Sequence, residues 1–535
     1  MIRLHKNSVF PEGKALFFIG WHCLTSRGDY AILIGENTVQ LHFQQPVEAP
    51  MNEYYLQKAV AELPRLIETT VTPAVESKTL FRGDRIIIDL GDHYVGYFSF
   101  RMNWVDLYVD APVRLYVKFC ETKRELEDDF AAYQGRLCAS WLQEEVINVD
   151  FPGEYRMPRR YAARYIEITV KSTPKRFVLS DFAFRAVTSG DVSAVASPVI
   201  ANDRLREIDR VAVNTLKNCM QRVFEDGPKR DRRLWTGDLR LEALANYYTF
   251  RNDGLVRRCL YLFAATEPND KGFFPGFLYE DPVFVSGSWY LMDYALLLVV
   301  SLCDYYRHTG DRETFLDLYP AAKSQMEAAA RAVDGEGILS IPNGCDAFID
   351  WCPDLRKGIA LHGVYLYTLD LLAGVLQELS HADAEMCFTR LESAKTAAFE
   401  HLHNKEENRF VSPRDGDQYS VHSAVWMILG GVVDGKEGVR ILHDALKSAD
   451  SLKPVTPYMH HYVLEAMFKL GLAEEAMDYL RDYWGAMVDL SADTFFEAFI
   501  PGQPDFSPYG DRMINSMCHA WSCTPSYFIR RYACR

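Results

Sequence analysis

Hydrophobic residues alternate with polar ones in the first third of the chain and recur every three or four positions in the rest, and this change of period divides the sequence. Up to about residue 190, short β-branched and aromatic runs are separated by turn-forming residues: YAILIG (30–35), RIIIDLG (85–91), VGYFSFRM (95–102), VRLYVKF (113–119) and ARYIEITV (163–170). The pattern predicts an N-terminal antiparallel β-sandwich over residues 1–190, followed by a linker at 191–202 within the small, polar stretch TSGDVSAVASPVIAN. From 203 to 535 the period is helical. Candidate helices run over 203–222, 238–252, 254–266, 287–308, 312–333, 358–379, 382–403, 419–432, 435–448, 457–471, 473–488 and 512–531. Consecutive helices with short links predict a toroid of helical hairpins; a two-layer solenoid would give a similar pattern, but no fixed-length repeat is present.

Composition narrows the function. The 535 residues are 48% hydrophobic and 13% aromatic, with a formal charge of -15. That balance offers no extended basic face for phosphates, which argues against a nucleic-acid partner and for a neutral one. The start of the chain lacks the apolar core and cleavage site of a signal peptide, so a cytoplasmic location is expected. The longest apolar stretch, Leu291 to Cys303, carries Asp293 and is too short to span a bilayer, so no membrane association is expected. Twelve cysteines include no CxxC pair and no Cys/His zinc spacing, and His460–His461 lack the i, i+4 histidine pair plus acid of a zinc site. Reduced thiols, no metal and no cofactor follow. Oligomerisation is left open.

The densest chemistry lies in EDGPKRDRRLWTGD, residues 225–238, where four carboxylates, four basic residues and Trp235 surround a Gly-Pro break. A glycosidase needs one carboxyl group to protonate the leaving oxygen and a second to activate water or attack carbon. Glu497, among the aromatics of SADTFFEAF, is a candidate for the second. Each residue also has a structural reading. Asp238 could simply cap the helix that follows. Asp231, flanked by Arg230, Arg232 and Arg233, could belong to a salt-bridge cluster, and as a proton donor it requires those cations to point elsewhere. His519 could be an ordinary histidine of the last helix, and Asp350–Trp351 could be structural.

These segments resemble the bacterial α-L-rhamnosidases, family 78 of the glycoside hydrolases. The resemblance rests on IDLGDHYVGYFSF (88–100), PRRYAARYIEI (158–168), DGPKRDRRLWTGD (226–238), FIDW (348–351), TFFEAF (494–499) and SMCHAW (516–521), which occur in the family's order. It implies a β-sandwich joined to a catalytic (α/α)6 six-hairpin barrel, and an inverting exo-acting enzyme that releases L-rhamnose from small rhamnosides. It also implies Asp231 as general acid, at a position that is usually Glu, and Glu497 as general base. Asp226, Arg230, Trp235, Asp238, Asp350, Trp351 and His519 are implied as sugar-binding residues, with the Trp351 indole against the sugar's apolar face. Two alternatives stand beside this reading: a six-hairpin glycosidase of different sugar specificity, and a non-hydrolytic carbohydrate-binding relative. If Asp231 is not the acid, Glu225 and Glu242 are the nearest substitutes. The β domain is expected to be a scaffold, with ETKRELEDDF (121–130) a solvated loop.

Overall fold

A strand of twenty residues organises the β domain. The computed structural model describes residues 52–106, 109–150, 152–280 and 284–534, and the backbone of a separate antiparallel hairpin, β1 (Tyr30–Ile34) and β2 (Asn37–Leu41). After a helix α1 (Glu53–Ala61) come β3 (Ile67–Val71), β4 (Lys78–Leu80), β5 (Arg85–Trp104), β6 (Val113–Cys120), β7 (Glu144–Val149), β8 (Gly153–Arg156), β9 (Tyr161–Ser172) and β10 (Phe177–Thr188). They pair in the order β3-β10-β5-β9-β6-β7, with β4 also on β10 and β8 also on β5. The first half of β5 pairs with β9, while its second half lies between β10 and β8. A register shift between Asp89 and Tyr94 bends it at the changeover. One sheet therefore supplies both layers of the sandwich, closing on a core that includes Phe98, Phe100, Phe119, Phe182 and Phe184. Inward positions of β5 alternate buried with exposed, as the sequence period requires. Helix α1 was not expected within a region of strands. It packs on the helical domain, where Asn52 N donates to Ala265 O.

Eleven of the twelve expected helices form: α2 (Asp203–Cys219), α3 (Thr236–Tyr248), α4 (Asp253–Ala264), α5 (Met292–Thr309), α6 (Arg312–Arg331), α7 (Gly358–Glu378), α8 (Ala384–His401), α9 (Val421–Leu429), α10 (Gly435–Lys447), α11 (Pro457–Lys469) and α12 (Ala473–Asp489). The twelfth does not form as one helix. Residues 512–533 contain 3-10 turns, a short α13 (Pro525–Phe528) and a π turn, and Pro525 stands at the first position of α13, where its missing N–H is tolerated. The contacts define two rings. Helices α3, α5, α7, α9 and α11 touch in succession, and residues 520–528 join α11 back to α3. This inner ring is buried nearly all round, whereas outer helices such as α10 bury a single stripe. The result is the (α/α)6 barrel. Among the described residues α7 alone has the length and hydropathy of a membrane span, but it is an inner barrel helix and 78% of that window is buried.

The two domains meet along the sandwich segments singled out in the sequence. Arg160 holds both Glu225 oxygens at 2.7 Å, and Arg164 holds both Asp493 oxygens at 2.8 Å. Asp92 accepts from Asn214 on α2, and the His93 carbonyl accepts from Asn218. Each arginine thus braces a carboxylate a few residues from a proposed catalytic one.

Candidate active site

Gly227 and Gly237 show how closely the loop between α2 and α3 is fitted. A Cβ on Gly227 would lie 2.9 Å from Ser516 Oγ, and one on Gly237 would enter the Tyr294 ring at 2.3 Å. The second approach lets Tyr294 OH donate to Asp238 Oδ1 at 2.9 Å. Asp238 is not the helix N-cap that the sequence allowed. The helix starts at Thr236, which leaves the Asp238 carboxylate in the first turn, 2% exposed and facing Tyr294. Asp226 accepts from Arg233 N (3.0 Å) and Trp235 Nε1 (2.9 Å), while its carbonyl accepts from Ala520 N.

Asp231 and Arg232 both have left-handed backbone, φ 42° and 54°, a conformation that costs non-glycine residues about 1–3 kcal/mol and is concentrated at functional sites. The Asp231 side chain is 22% exposed, and its nearest cation is Arg230 Nε at 3.8 Å. Among the described residues it accepts no hydrogen bond. Two of the three flanking arginines do point away: Arg232 binds the Pro228 and Arg160 carbonyls, and Arg233 lies over the Phe277 ring. Burial, with Arg160 nearby, lowers the Arg232 pKa to about 10.

Arg230 turns inward. It donates to Glu497 Oε2 at 2.6 Å, to Tyr509 OH at 2.9 Å and to the Ile514 carbonyl, and it stacks on the Tyr509 ring 4.5 Å from its centroid. Tyr509 OH in turn donates to Glu497 Oε1. Glu497 is 3% exposed, its backbone N–H bonds Ser516 O, and its carbonyl accepts from Trp521 Nε1. Arg230 thus spends its two terminal nitrogens on Glu497, Tyr509 and the Ile514 carbonyl, while its Nε has no hydrogen-bond partner among the described residues. Burial works against its charge, but Glu497 and Tyr509 hold its pKa above the ordinary value.

The Asp350 oxygens accept from His422 Nε2 (2.7 Å), Val455 N (3.0 Å), Thr456 Oγ1 (2.6 Å) and Trp351 N (2.8 Å), which uses its acceptor directions within the protein and anchors the Trp351 loop. Trp351 packs edge-on to Tyr509, with centroids 5.7 Å apart. On the other side, Trp235 lies 4.5 Å from Phe277 and 5.9 Å from Trp289. His519 N bonds Phe495 O, and its ring lies 4.1 Å from Trp521. Burial, then Arg230, lowers its pKa well below the usual value, so the ring is neutral. Among the described residues His519 Nδ1 and Trp351 Nε1 have no hydrogen-bond partner.

Beneath these residues lies a group of acids. Burial, then Asp231 and Asp238, raises the Asp226 pKa well above the carboxylate range, and burial outweighs the Tyr294 bond to raise Asp238 to about 8. Glu242 is fully buried, accepts no hydrogen bond among the described residues and is raised well above normal by burial, then Asp238 and Asp226. Of the substitute acids, Glu225 is clasped by Arg160 and Glu242 has no access to solvent. No group of three or more His, Cys, Asp or Glu among the described residues is arranged for a metal. Sequence reasoning missed Tyr509, Tyr294 and Asp293; the last accepts from Phe348 N and Ile349 N and so shapes the FIDW loop. An acid inside the apolar run LMDYALLL was the available signal.

Residues 57–188 match the glycosyl hydrolase family 78 alpha-rhamnosidase N-terminal domain, and residues 197–533 match the bacterial alpha-L-rhamnosidase 6 hairpin glycosidase domain. Among solved structures, a rhamnosidase from Klebsiella oxytoca with rhamnose bound is 38% identical with a TM-score of 0.86, covering 90% of this chain and 99% of that one. A family 78 rhamnosidase of Bacillus sp. GL1 shares the fold at 21% identity and TM-score 0.73, covering 88% of this chain and 48% of that one. The Streptomyces avermitilis α-L-rhamnosidase complexed with L-rhamnose does so at 16% identity and TM-score 0.64, covering 87% and 44%. No curated protein matches the chain.

Proposed function

Because this chain belongs to glycoside hydrolase family 78, the bacterial α-L-rhamnosidases, we propose that it is an inverting exo-acting enzyme that releases L-rhamnose from small rhamnosides in the cytoplasm. Asp231 protonates the departing glycosidic oxygen, and Glu497 removes a proton from the water that attacks the anomeric carbon from the opposite face. The observation that carries this reading is the Arg230 guanidinium, which meets Glu497 at 2.6 Å and Asp231 at 3.8 Å. Both carboxylates meet one guanidinium, and the proposal expects them to lie roughly 6.5–9.5 Å apart, the spacing of an inverting pair with space for a water, and not the roughly 5–5.5 Å of a retaining one.

The two carboxylates have settings that suit different tasks. Glu497 is held by Arg230, Tyr509 and, at 3.5 Å, Ser516 N, so its orientation towards the water is set before substrate arrives. Asp231 has no donor competing for its oxygens and faces partly into solvent, where a leaving oxygen would stand. Asp226, Asp238 and the neutral His519 bond the sugar hydroxyls, and the free Trp351 and His519 nitrogens add donors or acceptors. Trp235 and Trp351 supply apolar faces for the ring and its methyl group. Asp238 is a second candidate for the proton donor, since a carboxyl raised to about 8 is protonated at neutral pH. Incubation with nitrophenyl α-L-rhamnoside beside other aryl glycosides, followed by NMR, tests the proposal. Hydrolysis of the rhamnoside with β-L-rhamnose as first product is expected. Turnover of another glycoside alone would change the sugar, α-L-rhamnose as first product would exclude inversion, and saturable binding without turnover would leave only a lectin-like role.

A further inference from the structure

The segment between β6 and β7, expected to be solvated, is the part of the sandwich nearest the catalytic loops. Glu121 and Glu125 are 2% and 1% exposed. Glu125 Oε1 accepts from Lys229 Nζ at 2.6 Å, and its Oε2 closes a capping box with Thr122. Glu121 accepts from Met517 N at 2.7 Å and faces His93, and its other contact is Lys229 at 3.8 Å. Lys229 is 2% exposed, directly precedes Arg230, and also donates to the Met513 and Asn515 carbonyls. The same segment holds the 505–516 loop from its outer side. Asp128 pairs with Arg512, Arg136 N donates to Tyr509 O at 2.9 Å, and Tyr133 and Trp141 pack with Tyr509 around Phe130, Leu142 and Ile514. The inner side of that loop presents Tyr509 OH to Glu497.

We propose that this sandwich segment completes the catalytic centre: Glu125 and Lys229 are positioning residues that fix Arg230 and the Tyr509 loop, and through them the orientation of Glu497. The proposal rests on Glu497 as the base. Two lines converge on its carboxylate, Glu125–Lys229–Arg230 along one side and Arg136–Tyr509 along the other, and both begin in the β domain. A buried ammonium 2.6 Å from one carboxylate is held at a fixed point, and burial is overcome by Glu125 and Glu121 so that its pKa lies above the ordinary value. That fixed point sets the backbone at 229–230 and hence the reach of Arg230. The charged and titratable groups facing Lys229 and Arg230 are Glu121, Glu125, Cys120, Asp231, Glu497, Tyr509 and His519, with His93 behind Glu121 and Asp238 beside Glu497.

The test uses the full-length enzyme with both a nitrophenyl and an alkyl α-L-rhamnoside. Lys229→Met is expected to lower kcat roughly 10–100-fold on both substrates alike, since misplacing a base by a fraction of an ångström affects every leaving group. The inhibition constant of free rhamnose should stay within twofold, and the acidic limb of kcat/KM should move to higher pH because a nearby positive charge is lost. Lys229→Arg, which keeps the charge, should recover most of kcat and return the limb. Equal losses in the two variants, or an unchanged kcat in a folded Lys229→Met, would overturn the proposal. If Lys229→Met does not fold, Glu125→Gln carries the test from the sandwich side with the same equal loss on both substrates expected. An unmoved kcat there overturns it. Wild-type turnover together with an inactive Glu497→Gln is measured first, so that failure of the rhamnosidase reading is recognised separately.

Discussion

Glu497 and Asp231 both meet Arg230, yet the protein treats them in opposite ways. Glu497 is buried, with Arg230 on one oxygen and Tyr509 on the other, and its backbone is bonded to Ser516 and Trp521. Asp231 is on a strained backbone, partly exposed, with no hydrogen bond to its carboxylate among the described residues. The difference matches what each step of hydrolysis demands. A base that must align water gains from being fixed in advance, whereas a donor must exchange its proton with solvent and follow an oxygen whose position depends on the aglycone. The strain at Asp231 is held by its flanks, through Arg232 on the Pro228 and Arg160 carbonyls and Arg233 over Phe277.

The comparison is broken most directly at Glu497. Replacing it with Gln keeps the shape and removes the proton acceptor, so turnover of every rhamnoside should fall by about 10²–10⁴-fold or more whatever the leaving group. A Glu497→Gln enzyme that keeps its rate on either substrate would show that the fixed carboxylate is not the base. Asp231→Asn should instead separate the substrates. Alkyl rhamnosides, whose alkoxide leaves badly without a proton, should lose a comparable factor, while a nitrophenyl rhamnoside should lose less than about tenfold. Equal modest deficits on both would transfer the donor role to Asp238. Tyr509→Phe sharpens the contrast by removing one of the two donors on Glu497 while Arg230 stays. A hydrogen bond to a charged group is worth about 1.5–3 kcal/mol, so a loss of roughly 10–150-fold in kcat is the upper range expected on both substrates. An effect confined to KM would mean that Tyr509 serves the sugar and not the carboxylate.

How much of this could be read from the sequence follows the range of the interactions. The catalytic loop was legible because its chemistry is local: Asp226 bonds residues 233 and 235, and Asp238 lies within the same motif. Tyr509 was not legible, because nothing in PDFSPYGDR indicates that its hydroxyl meets an acid twelve residues earlier and an arginine near position 230. The stretch 121–130 was read only in part: Lys123, Arg124, Glu127 and Asp129 are exposed, as a run of charges usually is, but Glu121 and Glu125 are buried. Here each buried charge has a partner more than a hundred residues away, Lys229 for Glu125 and Arg512 for Asp128. Asp350 was assigned to the sugar by motif alone, and only the convergence of His422, Val455 and Thr456 reveals that its oxygens are occupied. The last helix failed because apolar periodicity is satisfied equally by consecutive short turns.

The smallest predicted effect lies beneath the two carboxylates and concerns stability. Asp238 titrates near 3.8 when unfolded and at about 8 in the folded protein, because burial raises it more than Tyr294 lowers it. Between those values the native state keeps a proton that the unfolded chain has released. Raising the pH therefore favours unfolding: this group contributes no loss below about 3.8, a growing loss up to about 8, and a constant one beyond. The slope from this residue alone is at most about 1.4 kcal/mol per pH unit. Asp238→Asn keeps an amide that can still accept from Tyr294 and has no proton to lose. Its apparent unfolding midpoint should fall less steeply than that of the wild type between pH 5 and pH 8, and should be the higher of the two at the alkaline end. The slope should shrink without vanishing, since Asp226 and Glu242 are raised in the same sense. Unfolding scans by circular dichroism at several pH values measure this, and identical slopes for the two proteins would show that Asp238 is already ionised in the fold and so could not be the alternative proton donor.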